Sequence, residues 1–153
     1  MGDTSYLGKN ISVLYRMGNR FYDRVLAPYG IGCGQQFFLL RIYENQGIGM
    51  YDLARLGCYD KGTVTRAVQK LEELGYIHSD TDPKDKRVRR LYTTPAATPL
   101  VSAVQRARES WNNALTAGMS QEERSEVHRL VERLAENAAV YTPEEIDSDF
   151  TLL

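Results

Sequence analysis

The chain has only two cysteines, two histidines and one tryptophan among its 153 residues, and each scarcity excludes something. Two cysteines cannot build the disulfide framework of a small secreted domain, and they fit a reducing compartment such as the cytoplasm. No apolar run approaches the roughly 20 residues needed to cross a bilayer, so no membrane partner is expected. The N-terminus lacks the charged-then-apolar layout of a secretory leader. Met1-Gly2 is followed by Tyr6 where N-myristoylation requires Ser or Thr. His78 and His128 are isolated, and together with Cys33 and Cys58 they lack the spacing of zinc ligands. No metal or other cofactor is therefore expected. The Walker lysine, H-E-x-x-H and G-x-S-x-G patterns are all missing, so no residue is assigned a catalytic role. Gly30-Ile31-Gly32-Cys33-Gly34 superficially resembles a phosphate-cradling loop, but it follows a helical pattern rather than a strand and lacks the later glycine.

What is present is a segregation of charge. The net charge is −1, yet residues 61–90 carry eight Lys/Arg against five Asp/Glu, while residues 120–153 carry three against nine. A near-neutral total is compatible with nucleic-acid binding, because the local field at the contact surface governs association.

The basic part coincides with the most patterned stretch, residues 60–95. Asp60 is a good N-cap, since its carboxylate can accept the free amide protons of a first helical turn. Val64, Val68, Leu71 and Leu74 follow at helical spacing and predict one apolar stripe facing a core. The opposite face keeps Lys61, Thr63, Thr65, Arg66, Gln69 and Lys70, a set suited to phosphates and base edges. Gly75 is placed to end the helix with a left-handed cap. Residues 76–79 and 87–93 read as two short strands with Ile77 and Leu91 inward, and residues 80–85 form a turn punctuated by Asp82-Pro83. Lys84, Lys86, Arg87, Arg89 and Arg90 crowd this hairpin. Taken alone, the helix reads as an ordinary solvated amphipathic helix and the hairpin as a surface loop. In succession they form a recognition helix and a basic wing, which makes double-stranded DNA the leading partner. Residues 49–56 supply a preceding short helix with Leu53 and Ala54 buried, and Gly57-Cys58-Tyr59 a tight turn.

This order of elements resembles the multiple-antibiotic-resistance-regulator (MarR) family of bacterial and archaeal transcription factors, over nearly the whole chain. The most specific piece is the wing's Asp-x-Arg, here Asp85-Lys86-Arg87. The resemblance implies that Asp85 braces the wing and Arg87 reaches the minor groove. It also implies DNA contacts at Thr63, Thr65, Arg66, Gln69 and Lys70. The chain departs from the family pattern at Gly57, commonly a leucine, at Tyr59, commonly a smaller aliphatic residue, and at Thr94-Pro95-Ala96-Ala97, where Thr-x-x-Gly is common.

The flanks complete a mainly α fold with a small β-hairpin wing, a winged helix-turn-helix between N- and C-terminal dimerisation helices. The expected divisions are 1–30, 31–96 and 97–153. Residues 6–26 place Leu7, Ile11, Leu14, Phe21 and Val25 at roughly helical spacing, stopped by Pro28. Residues 35–45 predict a helix with Phe38, Leu39 and Ile42 inward, and residues 99–117 and 121–141 two more. Ser120 and Glu123 form a capping box for the last of these, whose apolar face is Val127, Leu130 and Leu134. Thr142-Pro143-Glu144-Glu145 suggests a final short helix. The terminal helices hold more apolar surface than a small winged-helix core needs. The resemblance implies that they interlock with a second subunit, so that a homodimer reads an inverted-repeat operator, with repression as the default outcome.

It further implies a small-molecule effector, for which Tyr15, Arg16, Phe21 and Tyr22 are the candidate lining, against the plainer reading of these aromatics as core. A redox alternative rests on Cys33, at a helix start where a thiolate can be stabilised, and on Cys58, in the turn before the recognition helix. A winged-helix protein-interaction module is the rival of another class, disfavoured by the wing's five cations.

Overall fold

The computed structural model describes residues 5–141. The helix expected at residues 142–145 lies outside the described residues. Helix α1 (Ser5–Leu26) passes through a short 3-10 turn into α2 (Cys33–Glu44), strand β1 (Ile48–Gly49), α3 (Met50–Leu56) and α4 (Lys61–Glu73). Strands β2 (Ile77–Thr81) and β3 (Arg89–Thr93) follow, then α5 (Ala97–Leu115) and α6 (Gln121–Tyr141). No helix among the described residues is long and apolar enough to cross a membrane.

The core lies where α2, α3, α4 and the start of α5 meet the sheet. Phe38, Leu39, Ile42, Leu53, Val64, Val68, Leu71, Ile77, Leu91, Leu100 and Val104 are among its buried side chains. The stripe on α4 is buried as its spacing predicts, with Ala67 added, whereas Leu74 is the C-cap residue and 42% exposed. The stripe outruns the core at the helix end, where Gly75 takes the chain away with a φ of 78°.

Several boundaries differ from those read off the sequence. Helix α2 starts two residues early, because Asp23 of α1 accepts the Cys33 amide at 2.8 Å and Gln35 accepts the Gly32 amide at 3.0 Å. Helix α5 also starts early, with Pro99 tolerated in its first turn. Gly49 is not helical. It belongs with Ile48 to a two-residue strand that makes the sheet three-stranded, in the order β1-β3-β2. All pairings are antiparallel, with Ile48 opposite Leu91 and Ser79 opposite Leu91 on the other edge.

Leu26 at the end of α1 is buried in the core, but the other large aliphatic residues of α1 and the apolar residues of α6 up to 140 stay outside it. Leu7, Ile11, Leu14 and Val25 of α1, and Val127, Leu130, Val131 and Leu134 of α6, are each 39–55% exposed. No residue of α6 between 121 and 140 is buried.

Candidate nucleic-acid interface

Helix α4 is held at its N-terminus by a short relay of side chains. Asp60 accepts the Thr63 amide through Oδ1 and the Thr63 hydroxyl through Oδ2, both at 2.8 Å. Arg66 in turn donates from Nη2 to the Thr63 hydroxyl at 3.3 Å, one turn along. The Thr63 amide, then its hydroxyl, hold the Asp60 carboxyl below its ordinary pKa, and Arg66 adds to this. Thr65 donates its hydroxyl to the Lys61 carbonyl at 2.8 Å. Thr65, Arg66, Gln69 and Lys70 are exposed, and Lys61 and Thr63 half-exposed, so the six residues share the open side of the helix.

Asp60→Ala is expected to cost about 1 kcal/mol of stability, the usual loss for a removed N-cap. Because the folded carboxyl titrates below its ordinary value, that stability is present above the unfolded pKa and lost as pH falls through the depressed one. The gap between parent and variant denaturation midpoints therefore closes toward acid pH. Identical midpoints at neutral pH contradict the cap.

The wing is a loop built on carboxylates. Asp82 Oδ1 accepts the amides of Lys84 at 2.7 Å and Asp85 at 3.2 Å, while its Oδ2 meets Arg90 Nε at 2.9 Å. Arg90 also reaches the Gly47 carbonyl at 3.4 Å, tying the loop to the segment before β1. The Lys84 amide, followed by Arg90, lowers the Asp82 pKa. Asp85 accepts the Arg87 amide and Nε through Oδ1, both at 3.1 Å, and Nη2 through Oδ2 at 3.2 Å. This bidentate clasp holds Arg87 at the tip while leaving its side chain 88% exposed. Lys84 and Lys86 are exposed and make no ion pair among the described residues. The fifth cation, Arg89, is turned back toward α4, where its Nη2 meets Glu72 at 2.7 Å.

A half-exposed polar helix beside a loop bearing exposed cations is the geometry that places one element in a major groove and the other along the adjoining backbone. The sequence profile of the MarR family matches residues 34–88, from α2 through the wing loop. The "Uncharacterized HTH-type transcriptional regulator YybA" of Bacillus subtilis (strain 168) is 32% identical over 104 residues, which are 68% of this chain and 69% of that protein. The chain belongs to the MarR family. It is a transcriptional regulator of a DNA-binding, non-enzymatic family. A MarR transcriptional regulator from Methanosarcina mazei Go1 superposes with a TM-score of 0.84 at 34% identity, covering 90% of this chain and 99% of its own. A MarR-family regulator from Listeria monocytogenes, solved in complex with 26mer DNA, superposes with a TM-score of 0.84 at 25% identity, covering 94% and 96%.

In this MarR-family chain the four candidate effector residues are not gathered into one enclosed pocket. Phe21 stacks on Trp111 of α5 at 5.2 Å and meets Tyr22 edge-on at 5.4 Å. Burial pushes the Tyr22 phenol up, with Arg108 opposing. Tyr15 is 70% exposed, and Arg16 is exposed and bonded to Ser12. The stabilised thiolate that the redox alternative needs at Cys33 is not favoured. Burial first, then the Asp23 hydrogen bond, push that thiol up, outweighing the backbone amides that favour the thiolate. Cys58 is exposed in the turn, in the left-handed region at a φ of 54°.

Three side chains that shape the wing and its junction with α4 carried no assigned structural role in the sequence. Asp82 read only as turn punctuation, Arg90 only as one more cation, and Glu72 not at all. Asp82 carried a usable signal, since an aspartate two residues before an amide in a Pro-containing turn commonly caps it.

Proposed function

We propose that this MarR-family regulator binds an inverted-repeat operator as a homodimer and acts in the cytoplasm as a repressor, by occupying DNA that polymerase needs. The observation that carries the dimer is the pair of apolar stripes on α1 and α6, which the other described residues leave exposed. Two copies of α4 related by a two-fold axis can enter successive major grooves about 34–36 Å apart. The relative from Listeria monocytogenes, solved in complex with 26mer DNA, supports DNA as the partner.

Within this reading Thr63, Thr65, Arg66 and Gln69 face base edges, Lys61 and Lys70 flank them at phosphates, and Lys84, Lys86 and Arg87 follow the backbone and minor groove. Asp85 serves by holding Arg87. The Asp60–Thr63–Arg66 relay favours Arg66 as the principal base reader, because a guanidinium already steered by a neighbour loses less freedom on binding.

Arg66→Ala is expected to cost about 1–3 kcal/mol on the operator and far less on random duplex. Arg87→Ala should weaken both more evenly, since a wing arginine reads shape and charge. Operator affinity should also fall steeply with salt, by about 0.9 log units per log unit of salt for each phosphate neutralised. Fluorescence anisotropy on both duplexes at several salt concentrations measures all three. Equal losses on operator and random duplex from Arg66→Ala would remove it from the base-reading set.

A further inference from the structure

Arg89 stands at a junction of three elements. It is the first residue of β3, paired across the hairpin with Thr81, the last residue of β2. Its Nη2 donates to Glu72 Oε1 at 2.7 Å, in the last turn of α4, and to Ser79 Oγ at 2.6 Å, on β2. One guanidinium nitrogen therefore joins the end of the recognition helix to both strands, at the point where they diverge into the wing loop. The Arg89 side chain is 48% exposed and that of Glu72 27%, so the pair is only partly screened by water. Beyond this point the loop carries Lys84, Lys86 and Arg87, and a small angular error at its base becomes a larger displacement at its tip.

We propose that Arg89 is a positioning residue, which with Glu72 and Ser79 sets the angle between wing and recognition helix instead of supplying a phosphate contact of its own. Basic residues on a wing count by default as contacts with the backbone. Here the charge-assisted bonds point away from the loop tip and toward the helix that must enter the groove. The orientation of Glu72 follows from the same bond. A carboxylate at the end of a DNA-facing helix repels phosphate, and pairing with Arg89 offsets that charge while turning it into a brace. The inference rests on the DNA-binding reading above and adds to it the device that aligns the two contacting parts.

Two measurements on the full-length protein test it. In the first, operator and random duplex are titrated with the parent, Arg89→Ala, Arg89→Lys and Glu72→Ala. Positioning predicts that all three variants lower the ratio of operator to random affinity by about three- to tenfold, with an unchanged salt slope. Lysine fails because an ammonium group on a flexible stem lacks the rigid guanidinium plane that aims both Nη2 hydrogens at Glu72 and Ser79. A direct phosphate contact predicts the reverse pattern. Arg89→Lys would then retain most of the affinity, Glu72→Ala would bind more tightly, and Arg89→Ala would weaken both duplexes alike with the salt slope reduced by about one. That outcome overturns the proposal.

The second measurement needs no DNA. Amide hydrogen exchange in Ser79–Thr81 and Arg89 is expected to quicken several-fold in Arg89→Ala and in Glu72→Ala, with the core helices unchanged. Unchanged exchange in both variants sinks the brace even if the titrations are ambiguous. A parent protein that fails to distinguish operator from random duplex would refute the operator reading, and the exchange data would still decide on the brace.

Discussion

Replacing Leu130 and Leu134 together by glutamate yields a folded monomer whose operator affinity is lower by about a thousandfold. The two residues lie four apart on α6, on one face with Val127 and Val131, and all four are at least 39% exposed. Nothing among the described residues covers them, because no residue of α6 from 121 to 140 is buried. Each such side chain gains about 1.5–3 kcal/mol when fully withdrawn from water, and in the homodimer proposed above a second copy supplies that covering. A carboxylate in the same place must be desolvated without a partner, which reverses the sign of the contribution. The affinity loss then follows from losing the second half-site, since linked binding events strengthen one another by about 100- to 10,000-fold through effective concentration. The substitutions lie outside the core built on Phe38, Leu53 and Leu71, so circular dichroism should remain helical. Sedimentation of the variant at the mass of a dimer, or a monomer with full operator affinity, contradicts this account of α6.

The second large effect concerns the turn between α3 and α4. Gly57→Leu is expected to destabilise the protein by roughly 3 kcal/mol, and Tyr59→Val introduced beside it should restore much of that loss. Gly57 is not required for its backbone, whose φ of −126° suits any residue. It is required for its space. A Cβ there would lie 2.5 Å from Tyr59 Cε2 and 2.8 Å from Phe37 Cζ. The Tyr59 ring occupies that space, 5.3 Å from the Phe37 ring and 4.7 Å from that of the buried Phe38. Burial raises the Tyr59 phenol's pKa, with Tyr15 and Cys33 adding to it. The two departures from the family pattern, glycine at 57 and tyrosine at 59, are therefore one packing solution in which the second side chain fills the place of the first. Tyr59→Val alone should cost about as much as other large-to-small changes at a half-buried site, on the order of 1–3 kcal/mol. Urea denaturation of the two single variants and the double measures the coupling. Strictly additive losses would mean that the two positions pack independently.

How legible these features were in the sequence depended on the range of the interaction. Helix α4 was readable from end to end because its signals are local: Asp60 as cap, three apolar residues in register, and Gly75 as stop. Helix α6 was readable for the same reason, and the reciprocal bonds between Ser120 and Glu123 are those its capping box predicts. Strand β1 was not readable, because two residues carry no periodicity and their strand character comes only from pairing with Leu91 and Arg90. The early start of α2 depends on Asp23, ten residues upstream and on another helix. On the candidate site, the exposed set on α4 follows from helical spacing, and the bracing role of Asp85 came from the family resemblance. The partners of Arg89 and Arg90 lie 17 and 8 residues away, and only the folded hairpin brings them together. Charge counting along the chain treated five wing cations as equivalent. In the folded protein three are paired with carboxylates and two have no such partner among the described residues.

The central claim is sequence-specific recognition of duplex DNA by α4 and the wing. The most direct test is a titration of the purified protein against DNA from upstream of its own gene, with an excess of random competitor, at low and at physiological salt. The account predicts a dimer-sized complex that survives the competitor, protects two half-sites about one helical turn apart and weakens steeply as salt rises. Absence of binding to any duplex, even at low salt, would contradict it and leave the exposed face of α4 to a protein partner.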